Sequence, residues 1–219
     1  HLYLYDSRKN LYVKKIKHET GDTFSLILSR PKKFSFKAGQ FCFLRLNKNR
    51  LYARHPFTIS SAPGQQDLRF TIKNTGRFTA SALNLKLGDE VVVDGPFGIF
   101  TPKDNAKKLL LIAGGVGITP FLSIIKNLQT KNKKTDTILF YGSKTKEDII
   151  FKKELDNIKE SWRKKVYAIS HQSATSSTEY ENGYITEPLI KKYVKDITEF
   201  SCYICGPEPM KKSVKKALY

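Results

Sequence analysis

Leu109-Leu110-Leu111-Ile112-Ala113-Gly114-Gly115-Val116-Gly117-Ile118-Thr119-Pro120 is the stretch that decides how this chain folds. Its apolar opening reads as a strand buried on both faces, which belongs in a parallel sheet. Glycines then allow a sharp turn, and Pro120 sits where a first helical turn tolerates a missing N–H. Glycine lets backbone come close to a bound anion, and a helix start offers free N–H groups and a positive dipole end. The stretch is not the G-x-G-x-x-G dinucleotide fingerprint. Alone it marks a strand–turn–helix unit suited to an anion.

The same grammar continues on its C-terminal side. Thr137–Tyr141, Lys165–Ser170 and Ser201–Cys205 are compact apolar strands. They alternate with helical patterns near Pro120–Thr130, Asp148–Glu160, Glu187–Tyr193 and Pro207–Leu218. Such alternation predicts βαβ units and a parallel sheet covered on both faces. The last strand runs into Cys205-Gly206-Pro207-Glu208-Pro209-Met210, a second glycine turn at a strand's carboxyl end. Ligands of open parallel sheets bind at those ends, beside topological switch points. Gln172–Thr178 reads as a loop.

Upstream the pattern differs. Thr23–Ser29, Gln40–Leu46, His55–Ser60, Leu68–Lys73 and Glu90–Asp94 are short strands separated by glycine- and proline-bearing turns, with a short helix over Phe78–Leu85. Regular spacing of this kind predicts an antiparallel β-barrel. The boundary falls near residue 103, giving domains 1–103 and 104–219. Within the barrel, Arg54-His55-Pro56-Phe57-Thr58-Ile59-Ser60-Ser61-Ala62-Pro63 puts His55, Phe57 and Ile59 on one face of an extended segment and Arg54, Pro56 and Thr58 on the other. Lys73-Asn74-Thr75-Gly76-Arg77-Phe78-Thr79 places glycine and a hydroxyl where a helix begins, a second anion site.

Composition narrows the function classes. Of 219 residues 40% are apolar and 27% charged, which excludes disorder. No apolar run approaches the ~20 residues of a bilayer span. The chain opens at His1 with no starting Met and no signal peptide, and reads as a processed or excised piece. Thirty-nine Lys and Arg against 20 Asp and Glu give +19, favouring anionic partners. No basic arm, zinc-finger spacing or RNA-binding aromatic signature accompanies that charge, so no nucleic acid is expected, and a basic nucleic-acid-binding module is kept only as a remote alternative. Three cysteines make neither a disulfide framework nor a four-thiolate iron–sulfur site, and no metal is expected. Cys202 and Cys205 have C-x-x-C spacing but lie in a strand, where the pair reads as structural.

His-Pro-Phe-Thr-Ile-Ser-Ser-Ala-Pro at 55–63, Gly-Gly-Val-Gly-Ile-Thr-Pro at 114–120 and Cys-Gly-Pro-x-x-Met at 205–210, in this order, resemble the ferredoxin–NADP reductase superfamily. The first block is most similar to the dehydrogenase domains of NADPH oxidases and ferric reductases. The resemblance implies an antiparallel β-barrel flavin domain followed by an α/β parallel-sheet, Rossmann-like, nicotinamide-nucleotide domain. It implies FAD and NADPH, with NADH as an option. His55 then faces the flavin diphosphate beside Pro56, Phe57 packs on the isoalloxazine, and Thr58 hydrogen-bonds the reactive N5 region. Gly76, Phe78 and Thr79 form the second diphosphate clamp. Gly114, Gly115, Gly117, Thr119 and Pro120 hold the nicotinamide nucleotide's diphosphate. Cys205, Gly206 and Pro207 lie beside the nicotinamide, Cys205 as a positioning group.

By the same resemblance, Ser143, Lys144, Ser170, His171 and Tyr184 surround the adenosine phosphate. Lys144 and His171 stand where arginines are common, which keeps charge but loses the planar fork. Relatives in this superfamily continue past the helix after Cys-Gly-Pro to an aromatic residue over the flavin. Tyr219 does not match it, because ~12 helical residues carry it roughly 18 Å from the crevice. The resemblance further implies a transmembrane haem domain in a longer chain, an anionic membrane surface as partner and a place on the cytoplasmic face of a membrane. Electrons would pass singly to haem, oxygen or ferric iron. A free-standing soluble flavin or ferric-chelate reductase shares every motif and stays open as the alternative.

Overall fold

Two periodicities divide the molecule. The computed structural model describes residues 8–46, 53–158, 163–171 and 179–218. The chain separates into two compact units, one running to Thr101 and including Leu122–Asn127, the other made of Pro102–Phe121 and the residues from Leu128 onward.

In the first unit, strands β1 (Arg8–His18), β2 (Thr23–Ser29), β3 (Phe41–Arg45), β4 (His55–Thr58), β5 (Asp67–Lys73) and β6 (Glu90–Phe97) form one antiparallel sheet in the order β4-β3-β6-β1-β2-β5. An Ile59–Phe70 bridge, backed by Ser60 N donating to the Arg69 carbonyl at 2.7 Å, joins the two outer strands and closes the expected barrel. Period-2 alternation fills it: Leu11, Val13, Phe24, Leu26, Leu28, Cys42, Leu44, Ile59, Phe70, Val91 and Val93 are all buried inward. Each such aliphatic side chain contributes about 1.5–3 kcal/mol by leaving water. Helix α1 (Arg77–Leu83) starts one residue before the expected span and ends two earlier.

Strand β1 is absent from the expectation above. Lysine and arginine dominate its sequence, RKNLYVKKIKH, and mask the inward Leu11 and Val13. A bulge between Val13 and Lys15 breaks the alternation further. β6 runs on to Phe97, past the expected end at Asp94.

Arg30 ties two connections of this unit together. Its guanidinium donates to the Phe34 carbonyl (2.7 and 3.1 Å), to the Gln65 carbonyl (2.8 Å) and to the Pro63 carbonyl, with its plane over Phe36. Charge-assisted bonds to carbonyls that have lost water are worth more than neutral ones. Arg30→Met keeps the stem but strands three acceptors. It is expected to destabilise the first unit by about 3 kcal/mol, read as a lowered urea midpoint at unchanged m-value.

In the second unit, β7 (Lys108–Gly114), β8 (Asp136–Ser143), β9 (Arg163–Ile169), β10 (Tyr180–Asn182) and β11 (Ser201–Cys205) are all parallel, in the order β10-β9-β8-β7-β11. A 3₁₀ turn (Gly115–Ile118) and helix α2 (Thr119–Thr130) follow β7. Ile190 of α4 (Glu187–Tyr193) and Val214 of α5 (Glu208–Leu218) pack with Leu110, Ile112, Phe140 and Val166 on one sheet face. Helix α3 (Lys152–Asp156) lies against the other, where Lys165 Nζ donates to the Leu155 and Ile158 carbonyls at its C-terminal end, 2.7 Å each. Both faces are covered, as the unbroken apolar strands predict.

The helix expected over Asp148–Glu160 is a correction. Asp148–Phe151 is not helical, because Ile150 N donates to Tyr141 Oη (3.0 Å) and Phe151 adopts a left-handed φ of 63°. That tertiary bond outbids helix propensity. β10 also escaped the sequence, being three residues long and beyond the serine-rich stretch. The expectations for Gln172–Thr178 and Tyr219 fall outside the described residues.

Candidate functional site

Strand order decides where ligands can bind in the second unit. From β7 the chain moves to β8, β9 and β10 on one side, then returns to place β11 on the other. The crevice at the β7/β11 carboxyl ends is therefore the topological switch point. Both glycine turns fall there: Gly114 closes β7, and Cys205, in register with Ala113, closes β11.

Their packing explains the residue types. A Cβ on Gly117 would stand 2.2 Å from the Cys205 carbonyl oxygen. One on Gly114 would meet Met210 Sδ at 2.6 Å, and one on Gly206 would meet Met210 Cε at 2.6 Å. Gly115 has φ +52° with open space where its Cβ would project, so only backbone borders that space. Thr119 and Pro120 are buried at the start of α2. This arrangement suits a nucleotide diphosphate, with turn N–H groups and a helix start addressing its charge. Met210 went unassigned in the sequence reading, although its place three residues after Pro207 put it on the first turn of α5. It fills the space between the two turns.

Cys205 is half-buried, and desolvation raises its thiol pKa, opposed by the Lys211 ammonium. It stays protonated at neutral pH, which fits a positioning group rather than a thiolate nucleophile.

Along the same carboxyl edge, Ser143 ends β8, and Ser170 and His171 follow β9. Backbone bonds from Ser170 N to the Ser143 carbonyl (3.1 Å) and from His171 N to the Lys144 carbonyl (2.9 Å) hold the two loops together. Lys144 and His171 are exposed. Gly183 N donates to the Ile169 carbonyl at 2.8 Å, which sets Tyr184, 72% exposed, just after β10. Of the thirteen residues singled out in this unit, eleven lie at its strand carboxyl ends or the turns leaving them, and Thr119 and Pro120 open helix α2.

In the first unit, His55 and Phe57 of β4 meet Phe78 of α1. Ring centroids are 4.1 Å apart for His55–Phe78 and 5.8 Å for Phe57–Phe78, the latter nearly parallel at 18°. Pro56 is exposed, and Thr58 lies across from Phe41 of β3 on the face away from the barrel core. Phe41, missed in the sequence, joins Phe43 and Phe97 in an outward aromatic cluster with centroids 5.5–6.0 Å apart. The alternation Phe41-Cys42-Phe43-Leu44 carried that signal.

The Gly76–Thr79 turn differs in detail from a hydroxyl clamp. Thr79 Oγ1 accepts from Gly76 N (2.9 Å) and Thr75 N (3.0 Å), and itself lies 2.8 Å from the Gly76 carbonyl and 3.1 Å from Asn74 Oδ1. That hydroxyl is engaged in shaping the turn. What the turn presents outward is exposed Gly76 and Arg77. An aromatic shelf beside a turn of exposed backbone fits a flat heteroaromatic ring carrying a charged tail, so the residues present fit a flavin nucleotide.

Residues 10–101 match the oxidoreductase FAD-binding domain family, and residues 111–216 match the oxidoreductase NAD-binding domain family. The glycine betaine monooxygenase reductase subunit of Chromohalobacter salexigens is 31% identical over 97% of this chain and 61% of its own length. The sulfhydrogenase 2 subunit gamma of Pyrococcus furiosus is 30% identical over 84% of this chain and 67% of its own. A ferredoxin NADP+ reductase from Neisseria gonorrhoeae, solved with bound FAD and NADP, superposes with a TM-score of 0.84 at 22% identity, covering 97% of this chain and 90% of that one. The chain thus spans about six tenths of the length of the monooxygenase reductase subunit.

Proposed function

We propose, from the premise that this chain belongs to the ferredoxin–NADP reductase family of FAD- and NAD-binding oxidoreductases, that it is an NAD(P)H-dependent flavoprotein reductase delivering single electrons to a protein-borne acceptor. The observation carrying this reading is the presence of both domains in one chain, with the two glycine turns at the switch point of the second. Bound FAD would supply the chemistry, taking a hydride from NAD(P)H and releasing its electrons one at a time.

The protein's own contribution is orientation. His55, Phe57 and Phe78 would form the shelf for the flavin, and Thr58, on the opposite face of β4, would offer its hydroxyl to ring N5. The turns at Gly114–Gly117 and Cys205–Pro207 fix the nicotinamide nucleotide, and Cys205 holds its proton while packing beside the nicotinamide. Lys144 and His171 address the adenosine phosphate. Domains 1–103 and 104–219 would divide flavin from nucleotide binding. The monooxygenase reductase relative supports a partner-protein acceptor.

The +19 charge supports a second reading, in which the domain works at an anionic membrane surface beside a haem or ferric-reducing partner. Each well-placed lysine adds roughly 1 kcal/mol to such an attachment.

Anaerobic mixing of FAD-loaded protein with NADPH, then separately with NADH, tests the reductase reading. Flavin bleaching far above the protein-free rate is the expected result, faster with NADPH. Absence of bleaching with either nucleotide would defeat it. Lys144→Glu is expected to lower kcat/KM for NADPH about tenfold while leaving NADH within about twofold, since only NADPH carries the extra phosphate.

A further inference from the structure

Helix α3 begins late, and at its delayed start lies a buried hydroxyl with no part in the chemistry. Tyr141, third from the end of β8, is buried. Desolvation pushes its pKa well up, so it stays a neutral hydroxyl around neutral pH. Its oxygen accepts from Ile150 N at 3.0 Å, nine residues ahead. The next residue, Phe151, is buried too and takes a left-handed φ of 63°. A bulky residue in that region is uncommon and persists only where its surroundings over-determine it. The chain thus gives up a turn of helix and accepts a strained residue where this one side-chain bond forms.

What the bond does locally is close a loop. The entry of that loop is pinned from β9, where Ser170 N donates to the Ser143 carbonyl at 3.1 Å and His171 N to the Lys144 carbonyl at 2.9 Å. Within the loop, Ile149 N donates to the Lys146 carbonyl at 3.2 Å, and Thr145 Oγ1 donates to Asp148 Oδ2 at 3.0 Å. Lys146 turns its ammonium to the Tyr180 ring of β10, 4.8 Å from the centroid. Lys144 is the exposed cation of the loop. Tyr141 fixes the exit, so Lys144 stands on backbone held at both ends.

The chemistry of lysine explains why such a hold matters. An arginine fork sets its own orientation on a phosphate through paired N–H bonds. A lysine ammonium is a point charge on a four-carbon stem and brings no orientation with it. Direction must then come from the backbone beneath it, fixed before the ligand arrives.

We propose that Tyr141 is a positioning residue for nucleotide selection, its hydroxyl holding the Lys144–Ile150 loop closed so that the Lys144 ammonium meets the extra phosphate of NADPH. The proposal rests on the reading of Lys144 as a neighbour of the adenosine phosphate. Tyr141 acts through the loop and touches no ligand. NADH carries no phosphate at that position and is indifferent to the closure.

The test compares FAD-loaded wild type, Tyr141→Phe, Lys144→Ala and the double variant in anaerobic flavin reduction by NADPH and by NADH. Phenylalanine keeps the ring in the core and removes one oxygen. Tyr141→Phe is expected to raise the half-saturating NADPH concentration about fivefold at an unchanged limiting rate constant. With NADH both parameters should stay within about twofold of wild type. In the Lys144→Ala background the same change should weaken NADPH by less than about twofold, because the ammonium it positions is gone. A second readout needs no flavin: calorimetric binding of adenosine 2′,5′-bisphosphate and of 5′-AMP. Tyr141→Phe should weaken the bisphosphate about fivefold and leave 5′-AMP unchanged. Equal losses with NADPH and NADH would assign Tyr141 to packing alone and overturn the proposal. An unchanged preference for NADPH, or a full loss that persists in the Lys144→Ala background, would overturn it too. If Tyr141→Phe fails to fold, hydrogen exchange of the nucleotide-free wild type decides: the Ile150 amide must be protected, and exchange at an open-chain rate overturns the closed loop. Lys144→Ala binding the bisphosphate as tightly as wild type would instead defeat the reading of Lys144, and the positioning role with it.

Discussion

Gly117→Ala is expected to cut NAD(P)H-driven flavin reduction by about a hundredfold while FAD binding is retained. Its added Cβ would lie 2.2 Å from the Cys205 carbonyl oxygen, 2.5 Å from the carbonyl carbon and 2.9 Å from Gly206 Cα. All three are backbone atoms, so no side chain can swing away. The exits of β7 and β11 must separate by more than an ångström, and the surfaces that fix the nucleotide separate with them. Overpacking of this kind also costs about 1–3 kcal/mol of stability. Gly115→Ala makes the informative contrast. It meets open space but carries a positive φ, so roughly 1 kcal/mol of backbone strain is expected with a far smaller kinetic effect. Gly21→Ala, with an ordinary φ and nothing near its Cβ, should match wild type in both respects. Stopped-flow bleaching and thermal melts on the three variants would show whether steric closure or backbone conformation governs the site. Equal rates in all three would remove the crevice from the mechanism.

The second unit was the more legible of the two because burial on both faces wrote its strands as continuous apolar runs. Leu109–Ala113 was read within one residue at each end of β7, and Ser201–Cys205 matches β11 outright. A helix signal failed where a tertiary bond intervened: the Tyr141 hydroxyl takes Ile150 N, and no periodicity rule contains that event. In the barrel, strands with clean alternation were visible, whereas β1 was hidden because its solvent face is so rich in lysine. Two inward residues, Leu11 and Val13, then a bulge, are too little pattern to stand out.

The candidate site was legible as motifs and illegible as contacts. Sequence could say that glycine stands at 114, 115 and 117, but not that these glycines answer different demands. One admits the Cys205 backbone, one takes a left-handed turn, and one leaves room for Met210. It could place a hydroxyl at Thr79, but not that the turn's own N–H groups engage it. The hydrogen-bonded row of Glu19, Ser25, Thr71 and Ser60 inside the first unit was invisible for a deeper reason. Its members lie at 19, 25, 60 and 71, brought together by the β2–β5 register and by the bridge that closes the barrel. Long-range pairing of this sort has no local signature.

Thr58→Val is the substitution expected to separate the two roles given to that strand. Valine keeps the volume and β-branching of threonine, so the pairing of Thr58 with Phe41 and the shelf of His55, Phe57 and Phe78 should persist, and FAD affinity should stay within a few-fold. What disappears is one hydroxyl. If it hydrogen-bonds the reacting nitrogen, losing it removes an oriented group from the place where bonding changes, and the reductive rate constant should fall about a hundredfold. Serine at the same position should recover most of that loss. A Thr58→Val enzyme that reduces its flavin at the wild-type rate would place the hydroxyl away from N5, and the His55–Thr58 reading would have to be abandoned.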